Sequence, residues 1–157
     1  MIALTPSVPA DLPVLEDLYA QSLEYFSFDS GKLPAPPGEC MKKGDLPPGG
    51  ARESYTLYNV LQDGAVVGYV AYYKGYPDGA TAYITFTFIS ERGRGIGGVA
   101  ISLVLNALRS TGFRRARCSV SLKNPAALRF WHKMGFAHIT MVDIEEDYAG
   151  LELETIL

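Results

Sequence analysis

The stretch Arg92-Gly93-Arg94-Gly95-Ile96-Gly97-Gly98 constrains this chain more than any other part of it. Four glycines and two arginines occupy seven positions, between the apolar run Thr81–Ile89 and the apolar segment Ile96–Ser110. The first segment is rich in β-branched and aromatic residues and reads as a strand; the second has helical spacing. A chain that turns through glycines into a helix leaves several amide N–H groups unpaired at one point. The helix dipole adds about half a positive charge there. Glycine admits a ligand close to the backbone because no Cβ stands in the way. Such a helix start binds anions, and Arg92 and Arg94 add charge of the matching sign. A turn that bound nothing would need neither arginine.

The pattern on either side predicts a mixed sheet. Residues 1–5 read as a strand and residues 9–25 as a helix, with Leu12, Leu15, Leu18, Tyr19 and Leu23 at helical spacing and Pro13 in the first turn. Residues 29–50 hold five of the ten prolines and five glycines, which predicts a long loop with room for one helical turn. Tyr55–Gln62, 65–73 and Thr81–Ile89 read as an antiparallel meander, with a hairpin turn at Asp63-Gly64. Residues 116–122 alternate as a strand, which turns Cys118 toward the core. Asn124 caps a helix that Pro125 opens and Gly135 ends. Residues 136–142 and 151–157 read as two closing strands. The expected fold is α/β (α+β): a mixed, mostly antiparallel central sheet flanked by helices, in one domain over residues 1–157.

Charge is unevenly spread. The net charge is −3, yet residues 92–142 contain nine Lys or Arg and no Asp or Glu. An anionic ligand fits that segment, and the acidic remainder suits a cationic partner. Cys40 and Cys118 match no metal spacing, so free thiols in a reducing compartment and no metal are expected. No basic-then-apolar leader opens the sequence, and no run approaches the roughly 20 apolar residues of a membrane span. A cytoplasmic protein without membrane contact is the expectation.

Three phosphate-binding patterns fail in turn. Residues 93–98 match G-x-G-x-x-G, but the dinucleotide reading needs an acidic residue about 20 positions on, and none occurs before Asp143. No Lys-Ser or Lys-Thr follows the glycines, which removes the Walker pattern. Arginine-glycine segments that bind nucleic acid are long and repeated, and this one is short. Nucleic acid is therefore not the expected partner, although Arg109, Arg114, Arg115 and Arg117 make it a rival to test.

Arg92-Gly93-Arg94-Gly95-Ile96-Gly97 resembles the R-x-x-G-x-G signature of the GNAT superfamily of acyl-CoA-dependent N-acyltransferases. Asn124, Ala127, Phe130, Lys133, Gly135 and Phe136 follow as in that superfamily's N-x-x-A-x-x-F-x-x-K-x-G-F segment. The element order is similar along nearly the whole chain, and residues 26–50 fall where the acceptor side varies. The resemblance implies acetyl-CoA as cosubstrate and an amine as acceptor. It implies that the diphosphate rests on Gly93, Arg94, Gly95, Ile96 and Gly97 with Arg92 and Arg94 around it. Pantetheine would run along Phe88 and Ile89, where an amide near Ile89 could serve as oxyanion donor. Asn124, Phe130 and Lys133 complete the implied cofactor-binding set. A homodimer remains open.

The chain departs from the family at Trp131, where many members carry a tyrosine that protonates the leaving thiolate. An indole N–H donates a hydrogen bond but is no usable acid. Tyr83, with Tyr72 and Tyr148 as alternatives, is the candidate acid. Glu39, Glu53 and Asp29 are candidate bases. A catalytically silent acyl-CoA-binding module is the alternative to an N-acetyltransferase.

Overall fold

The computed structural model describes residues 1–26 and 33–157. Among these residues the strands are β1 (Ile2–Pro6), β2 (Tyr55–Gln62), β3 (Ala65–Lys74), β4 (Thr81–Ile89), β5 (Arg115–Ser121), β6 (His138–Glu145) and β7 (Tyr148–Ile156). The α-helices are α1 (Leu12–Phe26), α2 (Pro37–Lys43), α3 (Ile96–Ser110) and α4 (Pro125–Lys133). The strands form one sheet in the order β1-β2-β3-β4-β5-β7-β6. Every neighbouring pair is antiparallel except β4 and β5, which run parallel and are joined through α3. A parallel pair needs such a crossover, and a helix is its usual form.

The meander and both long helices follow the sequence pattern closely, because their signals are local. Asp63-Gly64 closes the β2–β3 hairpin, with both residues at positive φ. Asn124 Oδ1 accepts the Ala127 N–H at 3.1 Å, so α4 carries the cap its sequence announces. The proline-rich segment departs from expectation. A two-turn helix forms at Pro37–Lys43, where the composition suggests one turn at most. Pro37 takes the first helical position, where a missing amide costs nothing, and Gly44 ends the helix at φ +73°. The prolines bound the helix rather than prevent it. Residues 29–32 of the expected loop lie outside the described residues.

The sheet is covered on both faces. On one face Val60, Val70 and Ala82 pack under Ile101, Val104 and Leu108 of α3, with Trp131 and Phe136 beside them. On the other, Leu15 and Leu18 of α1 and Cys40 of α2 cover Leu57, Tyr69 and Phe88. Each fully buried aliphatic side chain contributes about 1.5–3 kcal/mol relative to exposure. Phe136, which the sequence pattern assigns to a strand, is instead fully buried against Trp131, with ring centroids 4.9 Å apart, and β6 begins two residues later.

One irregularity positions the functional site. Thr81, Ala82, Tyr83 and Ile84 pair with Arg115, Ala116, Arg117 and Cys118, and there the β4–β5 ladder stops. At the same place the β3–β4 register shifts between Ala71 and Tyr72, so that Thr85 is the extra residue on β4. A bulge bends its strand and increases the local twist. Beyond Thr85, β4 and β5 diverge and leave a gap in the sheet.

Candidate active site

The gap is a cleft of about 690 Å³. Thr85 to Ile89 of β4 form one wall and Cys118 to Ser121 of β5 the other. The start of α3 closes one end, and Asn124, Phe130 and Trp131 of α4 form part of the lining. The Ser90 N–H bonds to Val67 O on the β3 side at 2.9 Å. Strand alternation therefore turns the N–H and C=O of Ile89 the other way, into the gap. Thr87 shares that direction, and its side-chain hydroxyl is buried without a partner.

The α3 start is a tight glycine turn, as its sequence implies. Gly93 and Gly95 have φ of +75° and +77°, a region that favours glycine, and Gly95 is the N-cap. The first helical hydrogen bond runs from Val99 N–H to Gly95 O at 3.2 Å. Among the described residues, no backbone acceptor takes the amides of residues 93–98. A Cβ on Gly97 would lie 3.4 Å from the Phe130 ring and would fill the space between the helix start and α4.

The structure brings most of the sequence-derived residues to this cleft. Phe88, Ile89, Arg92, Gly93, Gly95, Ile96, Gly97, Asn124 and Phe130 all line it. The Arg92 guanidinium lies 6.0 Å from the centre of the Phe88 ring. Arg94 does not line the cleft: it is exposed and ion-paired with Glu91. Lys133 is likewise exposed on α4 and outside the lining. Asn124 uses its oxygen for the helix cap, which leaves its amide NH₂ available at the cleft.

Tyr83 sits on the paired half of β4 and borders a second cavity of about 280 Å³. Its hydroxyl is 2.5 Å from Ser119 Oγ and donates to Glu152 Oε2 at 3.0 Å. Burial, with the Glu152 charge adding to it, pushes the Tyr83 phenol up, so it stays protonated. Glu152 also accepts from Arg117 at 3.0 Å and Thr140 at 2.6 Å. Ser119, Thr85, Ile84 and Asp45 border both cavities and mark where they meet. Of the other tyrosines, Tyr148 lines the larger cleft, whereas Tyr72 is buried and stacked on Tyr58. Glu39 and Glu53 line neither cavity, and Asp29 lies outside the described residues. Asp45, Ser119 and Thr87 escaped the sequence reading: Asp45 is one acid among many, and the other two matter only because the strands part.

Residues 15–136, more than half of the chain, match the model of the acetyltransferase (GNAT) family. The chain belongs to that family. No curated protein matches it in sequence. Among solved structures it is similar to an acetyltransferase from Thermus thermophilus, with 24% identity, coverage of 100% of this chain and 97% of that one, and a TM-score of 0.78. A spermidine N-acetyltransferase from Vibrio cholerae, in complex with CoA and spermine, matches with 14% identity, coverage of 99% and 95%, and a TM-score of 0.77. AAC(6')-Ib in complex with ribostamycin and coenzyme A matches with 18% identity, coverage of 99% and 93%, and a TM-score of 0.75. At these identities the likeness is one of fold. Among the described residues no helix is long and apolar enough to cross a membrane, and no cluster of three His, Cys, Asp or Glu could hold a metal.

Proposed function

We propose that this GNAT protein transfers an acetyl group from acetyl-CoA to a primary amine of a small molecule or peptide, by direct attack of the amine. One observation carries the reading: helix-start amides and a strand edge that lack backbone partners among the described residues open into the same cleft. The amides of residues 95–97, with Arg92, suit a diphosphate. The free edge at Thr87 and Ile89 suits an amide-containing arm, which can pair with it as a strand would. Acetyl-CoA supplies a thioester, whose carbonyl carbon the amine nitrogen attacks as the C–S bond breaks.

The chain's residues have distinct tasks in that step. The Ile89 N–H donates to the carbonyl oxygen as negative charge builds there, a contribution of about 3 kcal/mol for a good donor. The walls hold the two reactants together, which supplies much of the rate. The nitrogen loses a proton and the departing thiolate takes one. Ser119 and the protonated Tyr83 form the route for that transfer, with Glu152 behind them. Trp131 lies in the lining, where its indole provides surface rather than acid. Cys118 also borders the cleft, but burial pushes its thiol well up. A thiol held protonated is a poor nucleophile, which favours direct transfer over a covalent acyl-enzyme.

Incubation with acetyl-CoA and a pooled amine library, followed by thiol detection, tests the proposal. Release of free CoA that depends on an amine is expected. Tight acetyl-CoA binding without amine-dependent release would instead favour the silent binding module.

A further inference from the structure

The second cavity joins the cleft at Ile84, Thr85, Ser119 and Asp45. Its walls are Tyr73, Tyr76 and Tyr83, with Leu46, Pro47 and Pro48 as an apolar rim. Two of the three rings are held in place by their hydroxyls. Tyr73 accepts the Ala51 N–H at 2.9 Å, and Tyr83 is tied to Ser119 and Glu152. Tyr76 packs edge-on to Tyr83, with centroids 5.9 Å apart.

Asp45 is the one charged residue in that lining, and no Lys, Arg or His accompanies it among the described residues. No hydrogen bond or ion pair within the described protein engages its carboxylate. Asp45 is an exposed residue at the rim of the cavity, and the desolvation it does undergo there raises its pKa. A carboxylate beside fixed aromatic rings attracts an ammonium through charge and through the ring quadrupoles. An acceptor with its own carboxylate would bring a second negative charge to a wall with no cation to offset it.

We infer that the acceptor is a small amine that enters as a cation and carries no carboxylate, held by Asp45 and the Tyr73, Tyr76 and Tyr83 walls. This rests on the reading of the larger cleft as the acyl-CoA side. The acceptor's nitrogen then lies at the junction, beside Thr85 and Ser119, where the two cavities open to each other.

Two matched pairs isolate the carboxylate: tyramine against tyrosine, and 1,4-diaminobutane against ornithine. Their binding to the full chain saturated with CoA is measured by calorimetry, and thiol release with acetyl-CoA is followed in parallel. Each amine is expected to bind at least about tenfold tighter than its amino acid, and Asp45→Asn to weaken amine binding about tenfold. Tyr76→Leu should weaken tyramine several-fold. Equal affinity within both pairs, or no amine binding at all, would overturn the inference. So would a preference that survives Asp45→Asn, or a loss of CoA affinity in that variant equal to its loss of amine affinity. A failure of the transfer reading looks different: the amines bind with the stated preference, yet no thiol appears.

Discussion

Strands β4 and β5 are closed at one end and open at the other, and the two ends are built differently. At the closed end, Arg117 donates to Glu154 at 2.6 Å and to Glu152 at 3.0 Å, while Arg115 approaches Glu154 at 3.9 Å. The cations of β5 are consumed by the carboxylates of β7, which are 8–11% exposed. At the open end, Arg92 and the start of α3 line a cleft. Cationic residues thus hold the sheet together at one end of this strand pair, and the glycine-rich start of α3 lines a cleft at the other. The bulge at Thr85 marks the change.

Variants at five positions probe that division, from the largest effect to the smallest. Arg117→Ala strands two mostly buried carboxylates, so stability should fall by about 3–4 kcal/mol in urea denaturation. CoA affinity, measured where the variant is still folded, should hold; a parallel loss would mean that the closed end is part of the site. Gly97→Val should lower CoA affinity by about a hundredfold with only a small shift in Tm, because the branched side chain enters the cleft. Gly97 is a cleaner probe than Gly95, whose positive φ would add strain for any branched residue.

Arg92→Ala should weaken CoA binding about tenfold, whereas Arg94→Ala should change it by less than about twofold. Equal effects would show that the Glu91 pairing yields when the ligand arrives. At Asn124 the two jobs can be separated. Asn124→Ala should cost about 1 kcal/mol of stability through the lost cap, and Asn124→Asp should keep the cap. Both should raise the KM for acetyl-CoA several-fold, since both remove the amide NH₂ from the cleft. An unchanged KM in the Asp variant would reduce Asn124 to its capping role.

What could be read in the sequence follows from the range of each interaction. The hairpin turn at Asp63-Gly64, the Asn124-Pro125 helix start and the glycine turn before α3 are specified within a few residues, and each forms where its residues require. The divergence of β4 and β5 has no such local sign. Thr85 becomes a bulge only through its pairing with β3, more than ten residues away. The charge asymmetry was visible, but not its division: Arg115 and Arg117 meet β7 carboxylates that lie over thirty positions downstream. Arg94 illustrates the same limit at short range, because the motif does not reveal that Glu91 takes its charge. Asp45 gains meaning only when α2 and its flanks fold beside Tyr73, Tyr76 and Tyr83.

The central claim is that the amides at the start of α3 and the free edge of β4 act together on one acyl-CoA. A crystal structure with acetyl-CoA bound tests it most directly. The account predicts the diphosphate within hydrogen-bond distance of the amides of residues 95–97 and the thioester oxygen facing the Ile89 N–H. Acetyl-CoA bound elsewhere, or in the cleft with its diphosphate away from those amides, would contradict it.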